Sequence, residues 1–598
     1  MKSVTCIFAC ALALGLSLPA PCLARNVVIF VADGLRYDSV TPDTAPTMWK
    51  LRHDGVDFKN SHALYPTVTT ANASAISTGH YLGDTGDYAN TLFVNFQVPC
   101  RQGMTVTFLE SDCVLTDMVN HFGGAYMGET SLVQAARAAN VNVFVIGKTG
   151  PTAIQNLAAL KGDGFLMDEF TNRPANPDGT PTNAPILKGA AAGAVLGATG
   201  NEVSPGAALP NIVQEAYQTA SIDALLPDRT DAGRDKRPFV LVFWSRDPDF
   251  AQHNAVDSEG KLVPGINGVT QRRAVANSDN ALRSILDTLK RHGLEKDTDV
   301  FVTADHGFVT IAKGIPTNGS TPRPALPQGF LALGIADLLH EKLFDPDRAN
   351  AELDRDNGDH PAQGNALIGP SAQSPLAIVA ANGGSDLIYI PGSNRELARA
   401  IFAKLVEAPY TGALFVDDAL FQGHESEFKG ALPMSALDLV GASSVPRPAI
   451  IIGFRSFLAK DCKLTALLCA AGIMDTPLHT GQGNHGGTSR AETRNFMAAI
   501  GPDFKARFID ISPVSNADIA PTLAPILGLA IIPHGALTGR VAAEALKAGK
   551  PVTFKAKVRR SEIASSGFQT VLQYQEAEGR LYIDAAGMPG RVAGLKAK

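Results

Sequence analysis

No sign of charge dominates this chain of 598 residues: 52 Lys and Arg stand against 58 Asp and Glu, a formal net charge of −6. So mild an acidic balance gives no electrostatic footprint for nucleic acid or for an anionic membrane surface. Long apolar runs are scarce too. The run inside MKSVTCIFACALALGLSLPAPCLA is too short for a comfortable membrane span. With Lys2 ahead of it and small residues behind, it reads as a secretory signal over residues 1–24, cut after Ala24. Pro21 before Cys22 argues against a lipoprotein anchor, and no low-complexity tract or internal repeat follows. A soluble periplasmic or secreted protein is the expectation.

Cysteine is sparse. Removing the leader discards Cys6, Cys10 and Cys22 and leaves Cys100, Cys113, Cys462 and Cys469. In an exported chain this even number suggests the local disulfides Cys100–Cys113 and Cys462–Cys469, among the connectivities four cysteines allow. A four-cysteine zinc site is the weaker reading, because neither pair has the short spacing of metal ligands.

The length is too great for a single core, so one large domain with insertions, or two to three domains, is expected. NVVIFVADG (Asn26–Gly34), VNVFVIGK (Val141–Lys148), FVLVFWS (Phe239–Ser245) and DVFVTADHG (Asp299–Gly307) are continuous apolar runs, the pattern of strands buried on both faces. Helical stretches such as TAPTMWKLRH, SLVQAARAA and RAVANSDNALRSILDTLKRHG separate them. The alternation predicts a doubly wound, mostly parallel α/β sheet. Three of the four strands run into acids: Asp33, Asp247 with Asp249, and Asp305. Open sheets of this kind bind ligands beyond the carboxyl ends of their strands.

YPTVTTANASAISTGH (Tyr65–His80) is crowded with hydroxyls but has no His or Asp beside Thr69 to take a proton. Such hydroxyls either cap a helix or include a nucleophile that something else activates. Asp249 and His253, four apart in DPDFAQH, share a helical face. Asp305 and His306 are adjacent in ADHG, and His485 lies in the glycine-rich GQGNHGG. With Asp33 and the Thr69 hydroxyl these make seven oxygen and nitrogen ligands and no sulfur. That is too many for one tetrahedral ion and suits two divalent ions, zinc above all. A two-metal pair lowers the pKa of a hydroxyl and stabilises a leaving group, which would activate Thr69 without a neighbouring base.

In this order VADGLRYD, YPTVTTANASAISTG, DPDFAQH, TADHGF and GNHGG resemble the alkaline phosphatase superfamily, in particular its type I phosphodiesterases and nucleotide pyrophosphatases. The resemblance implies an alkaline phosphatase-like fold and a phospho-threonine formed on Thr69. It assigns Asp33, Asp305 and His306 to the ion that activates the nucleophile, and Asp249, His253 and His485 to the ion facing the leaving group. Asn90 matches an asparagine that bonds a non-bridging phosphate oxygen, and the first backbone N–H groups after Thr69 are expected to help hold the phosphate. Thr70 stands where nucleotide-cleaving relatives carry a phenylalanine, and the run after Thr69 lacks the sulfatase signature. Lys148 falls where threonine-nucleophile phosphomonoesterases carry a lysine, but Gly150 replaces their arginine. Lys148 is therefore either a phosphate contact or a solvated strand end.

The division expected is a leader (1–24), a catalytic core in two parts (25–310 and 476–550), an inserted cap (311–475) and a C-terminal β-hairpin (551–598). The function expected is phosphodiester hydrolysis of a small-molecule phosphate ester. Phosphomonoester or phosphonate hydrolysis and phosphoryl transfer are alternatives on the same site. A binding protein or pseudoenzyme on this fold is the non-enzymatic alternative, and the intact ligand set speaks against it.

Overall fold

The computed structural model describes residues 25–161, 165–169, 209–229, 236–315 and 325–596; the leader lies outside them. The apolar runs form the middle of an eight-stranded sheet. Its strands are β1 (Asn26–Ala32), β2 (Val56–Phe58), β3 (Asn142–Gly147), β4 (Met167–Asp168), β5 (Phe239–Ser245), β6 (Thr298–Thr303), β7 (Met497–Ile500) and β8 (Phe508–Asp510). They lie in the order β8-β2-β7-β6-β1-β5-β3-β4. Within it β4, β3, β5, β1 and β6 run parallel, and only β7 is antiparallel to its neighbours β6 and β2.

Alternate side chains of β1 serve two separate cores, which is why the run is apolar throughout. Val28, Phe30 and Ala32 pack with the helices Pro46–Asp54, Ile212–Leu225 and Val269–Arg291. Val27, Ile29 and Val31 pack with Thr69–Thr78, Asp112–His121, Leu132–Ala138 and Ile519–Ile526. The sheet is doubly wound, as an alkaline phosphatase-like fold requires.

A second eight-stranded sheet, antiparallel but for one pair, is built mainly from Lys342–Asp345, Ala366–Gly369, Ala377–Asn382, Ser385–Tyr389, Thr411–Val416 and Ile450–Phe454. Its faces also divide by alternation. Leu343, Ile368, Val379, Ile388, Leu414 and Ile452 join a core of their own with the helices Phe330–Leu339 and Arg395–Glu407. Leu367, Ile378, Leu387, Phe415 and Ile451 join the core shared with the first sheet.

The tail departs from the expected hairpin. Phe554–Arg560 pairs with Val571–Ala577, which pairs with Arg580–Gly587, so the sheet has three strands. FKAKVRR alternates apolar and basic residues, but as an edge strand it leaves Ala556 and Val558 in solvent along with Lys555, Arg559 and Arg560; backbone pairing, not burial of one face, makes it a strand. Both expected disulfides, Cys100–Cys113 and Cys462–Cys469, are formed. Among the described residues no helix is long and apolar enough to cross a membrane.

Phe30 and Phe243 stack at 5.3 Å across β1 and β5, both fully buried. Phe243→Ala is predicted to destabilise the protein by about 3–5 kcal/mol, read as a lower guanidinium unfolding midpoint. A midpoint unchanged from wild type would contradict this packing.

Candidate active site

Neighbouring strands deliver the acids. Asp33 follows β1, Asp305 follows β6 on one side of it, and Asp249 opens the short helix Asp249–His253 after β5 on the other. The Asp249 N–H donates to the Asp33 carbonyl at 3.0 Å, and the Gly34 N–H donates to Asp305 Oδ1 at 2.9 Å. Gly34 has φ +65°, and an added Cβ would lie 2.9 Å from the Phe308 ring, so this turn requires glycine. Asp247 turns away and accepts from the Asn211 N–H at 2.8 Å and Asn277 Nδ2 at 2.9 Å.

All three histidines are oriented alike. Nδ1 of His253, His306 and His485 lies 3.0, 3.0 and 2.9 Å from the carbonyls of Gly483, Gly307 and Thr67. A carbonyl can only accept, so each Nδ1 carries the proton and each Nε2 presents a lone pair. Those lone pairs face carboxylates. His306 Nε2 is 3.3 Å from Asp305 Oδ2 and 3.8 Å from Asp33 Oδ1, while His253 and His485 Nε2 are 3.3 and 3.6 Å from Asp249 Oδ1. Asp33 Oδ1, Asp249 Oδ1 and Asp305 Oδ2 are buried and receive no hydrogen bond. Orphaned anionic oxygens facing imidazole lone pairs are costly unless cations lie between them. The residues therefore fit divalent ions, and carboxylate with neutral imidazole suits zinc.

Among the described residues three groups have ligand atoms that all lie within 4.8 Å of one another, and two of them are here: Asp33, Asp305 and His306, and Asp249, His306 and His485. His306 belongs to both, with its ring stacked on His485 at 3.7 Å. His253, which the sequence pairs with Asp249 and His485, stands at the rim of the second group through its contact with Asp249.

The electrostatics follow from burial. The Asp33 carboxyl is pushed well up by burial and by Asp249 and Asp305, against the pull of Lys148. Burial also penalises the Asp249 carboxylate, but the Lys148 ammonium holds it well below its ordinary value. For Lys148 the cost of burial is outweighed by Asp249, Asp33, Glu110 and Asp305, which keep its ammonium charged. His485 is held well below the usual histidine value by burial and by neighbouring His306, which leaves its imidazole neutral.

Thr69 is the first residue of the helix Thr69–Thr78 and is fully buried. The N-cap is Val68, in extended conformation and without a side-chain cap, so Thr69 is not a capping residue. Its hydroxyl lies 3.2 Å from His306 Nε2. Other hydroxyls of the stretch serve the backbone: Thr67 donates to the Gly487 carbonyl, Ser74 to Ala71 and Thr78 to Ser74. Asn90 Oδ1 accepts from the Thr70 N–H at 2.8 Å, so the backbone donor expected to grip a phosphate is already engaged. Asn90 Nδ2 donates to Glu110 Oε1 at 2.8 Å and keeps its second N–H. Lys148 is buried rather than solvated, its Nζ 3.0 Å from Asp33 Oδ2, 3.0 Å from Glu110 Oε2 and 3.2 Å from Asp249 Oδ2.

Three supporting residues carry no motif that would mark them in the sequence. Glu110 joins Asn90 to Lys148. The Trp244 indole N–H donates to Asp33 Oδ2 at 2.7 Å. Asn516 Nδ2 donates to the Asp305 carbonyl at 2.7 Å and to Asn72 Oδ1 at 3.0 Å, tying the end of β6 to the Thr69 helix. Above the acids opens a cavity of about 880 Å³, walled by Asn90, Lys148, Asp249 and His485 and, from the second-sheet region, by Asn382 and Asp475.

Residues 27–325, half of the chain, match the model of the type I phosphodiesterase / nucleotide pyrophosphatase family. The chain belongs to that family. Its members are phosphoric ester hydrolases and depend on metal. Among solved structures, murine ectonucleotide pyrophosphatase/phosphodiesterase 5, an inactive form in complex with AMP, is 15% identical with a TM-score of 0.48. That similarity covers 85% of this chain and 96% of the murine one. The human enzyme of the same name is 15% identical with a TM-score of 0.48, covering 88% of this chain and 100% of its own. No curated protein sequence matches the chain.

Chelation is predicted to lower the melting temperature of this phosphodiesterase-family protein, because it leaves buried carboxylates opposed to one another. An ion at about one hundred times its Kd stabilises a folded state by about 2.7 kcal/mol, and re-addition of zinc should restore the loss. A melting temperature indifferent to both treatments would contradict the fit.

Proposed function

We propose that the protein is an exported, two-metal phosphodiesterase that uses Thr69 as its nucleophile. The observation that carries this reading is the Thr69 hydroxyl, which is aimed at His306 Nε2 beside orphaned carboxylate oxygens rather than at the backbone. Asp33, Asp305 and His306 would hold one divalent ion, and Asp249, His253 and His485 the other, zinc being the ion their chemistry favours. When bound, the ions supply a lowered hydroxyl pKa and positive charge for the transferring phosphoryl group.

The chain's own residues account for the rest. The deprotonated Thr69 oxygen bonds to phosphorus as the bond to the leaving alcohol breaks, and the departing alkoxide takes its proton from water. The free N–H of Asn90 donates to a non-bridging oxygen as charge builds there. Water then attacks the phospho-threonine, the bond from phosphorus to the Thr69 oxygen breaks, and a phosphate monoester leaves. The carbonyl-pinned imidazoles and the Trp244 contact to Asp33 hold the acidic groups in place through both steps. On this reading residues 25–310 and 476–550 form the catalytic part and 311–475 helps wall the cavity above it. The disulfides Cys100–Cys113 and Cys462–Cys469 support export.

Rates on bis-p-nitrophenyl phosphate and p-nitrophenyl phosphate test the reading. The wild type is expected to favour the diester, and Thr69→Ala should lose roughly 10³-fold or more of kcat while retaining its bound metal. A Thr69→Ala protein with wild-type turnover would remove Thr69 from the reaction.

A further inference from the structure

A charge pair lines the cavity beside the two groups that the family resemblance assigns to phosphate, Asn90 and Lys148. Glu110 lines the cavity and spans both groups that point toward a phosphate: Oε1 accepts from Asn90 Nδ2 at 2.8 Å, and Oε2 lies 3.0 Å from Lys148 Nζ. Its side chain is 11% exposed and that of Lys148 is 8% exposed, so solvent screens the pair weakly. We propose that Glu110 is a specificity-determining residue that neutralises Lys148 and thereby sets the site for singly charged phosphate diesters over doubly charged monoesters. The inference rests on the phosphodiesterase reading of the same site.

The physical case is one of charge and placement. A lone buried lysine beside the phosphate position would reward the extra negative charge of a monoester, which is close to −2 at neutral pH. Here Lys148 already faces Asp33 and Asp249, carboxylates that also face the metal positions, and Glu110 adds a further negative charge that offsets the ammonium and repels the second charge of a monoester. The fold commits to this arrangement. Glu110 follows the two-stranded ribbon Thr91–Val98 and Met104–Phe108, and the Cys100–Cys113 bond ties the turn of that ribbon to the helix Asp112–His121. Gly150, two residues beyond Lys148, has φ +87°, and a Cβ there would lie 2.6 Å from Glu110 Cα. The loop after β3 thus has room for glycine alone where it presses against the backbone of Glu110. Ribbon and loop are held together, and they bring the acid to the lysine.

The test compares the metal-loaded wild type with Glu110→Gln, Glu110→Asp and Lys148→Gln. Two quantities are read: the ratio of kcat/KM for p-nitrophenyl phosphate to that for bis-p-nitrophenyl phosphate, and the calorimetric Kd of inorganic phosphate. Glu110→Gln is nearly isosteric but uncharged, and should raise the ratio about tenfold and tighten phosphate by a similar factor, as expected for removing one weakly screened charge. Glu110→Asp keeps the charge and should stay near wild type in both, while Lys148→Gln should move both the other way. Equal losses on the two esters in Glu110→Gln, with phosphate binding unmoved, would overturn the proposal and leave Glu110 a structural residue. If no variant cleaves either ester, the phosphodiesterase reading fails on its own. The phosphate Kd then still decides: tighter in Glu110→Gln alone upholds the charge role, and unchanged overturns it.

Discussion

Three carboxylates buried around one point are the constraint on which the rest of this structure depends. Asp33, Asp249 and Asp305 are all inaccessible to solvent or nearly so, and each keeps one oxygen without a donor. Charges so placed repel, and their burial is tolerated only where cations and donors answer them. Lys148 answers two of them, the Trp244 indole a third contact, and the backbone N–H groups of Gly34 and His306 the inner oxygen of Asp305. The remaining oxygens face imidazole lone pairs, an arrangement that suits a metal-dependent family. The buried, parallel strands supply the rigidity that holds these groups in register.

Precision in such a site comes from the atoms behind it. Each histidine is turned by a backbone carbonyl, and those carbonyls belong to different segments: Gly483 and Gly307 near the site itself, Thr67 just ahead of the Thr69 helix. The loop carrying His485 is fixed in turn by Glu492, which accepts from the Gly487 N–H and the Ser489 hydroxyl. Burial of Glu492 pushes its carboxyl up to about 7 despite those bonds. The polar framework of the site is therefore continuous with the folding of the regions that bear it, and the second sheet, by sharing a core with the first, joins the cavity wall to the same body.

Much of this was legible in the sequence because burial leaves a plain mark there. Strands covered on both faces read as unbroken apolar runs, and the acids that end them stand out against that background. The helical spacing of Asp249 and His253 is readable in the sequence, whereas the stretch around Thr69 by itself reads as helix capping and only the surrounding ligand set and the family resemblance single out that hydroxyl. What remained hidden has physical causes as well. Glu110 reaches Lys148 because the ribbon ahead of it folds back against the loop after β3, a long-range event without local signature. The burial of Lys148 depends on Asp249 and Asp33 as well as on that partner. The engagement of the Thr70 N–H by Asn90 is a tertiary contact, and the edge strand Phe554–Arg560 is held by backbone pairing beneath a charged surface.

The central claim, that the strand-end acids and pinned imidazoles form one two-ion centre around Thr69, is tested most directly by anomalous diffraction from crystals of the mature protein grown with zinc. The account predicts two strong anomalous peaks per chain, one contacting Asp33, Asp305 and His306 and the other Asp249, His253 and His485. Data with no peak at these residues, or with zinc bound only elsewhere on the chain, would contradict it.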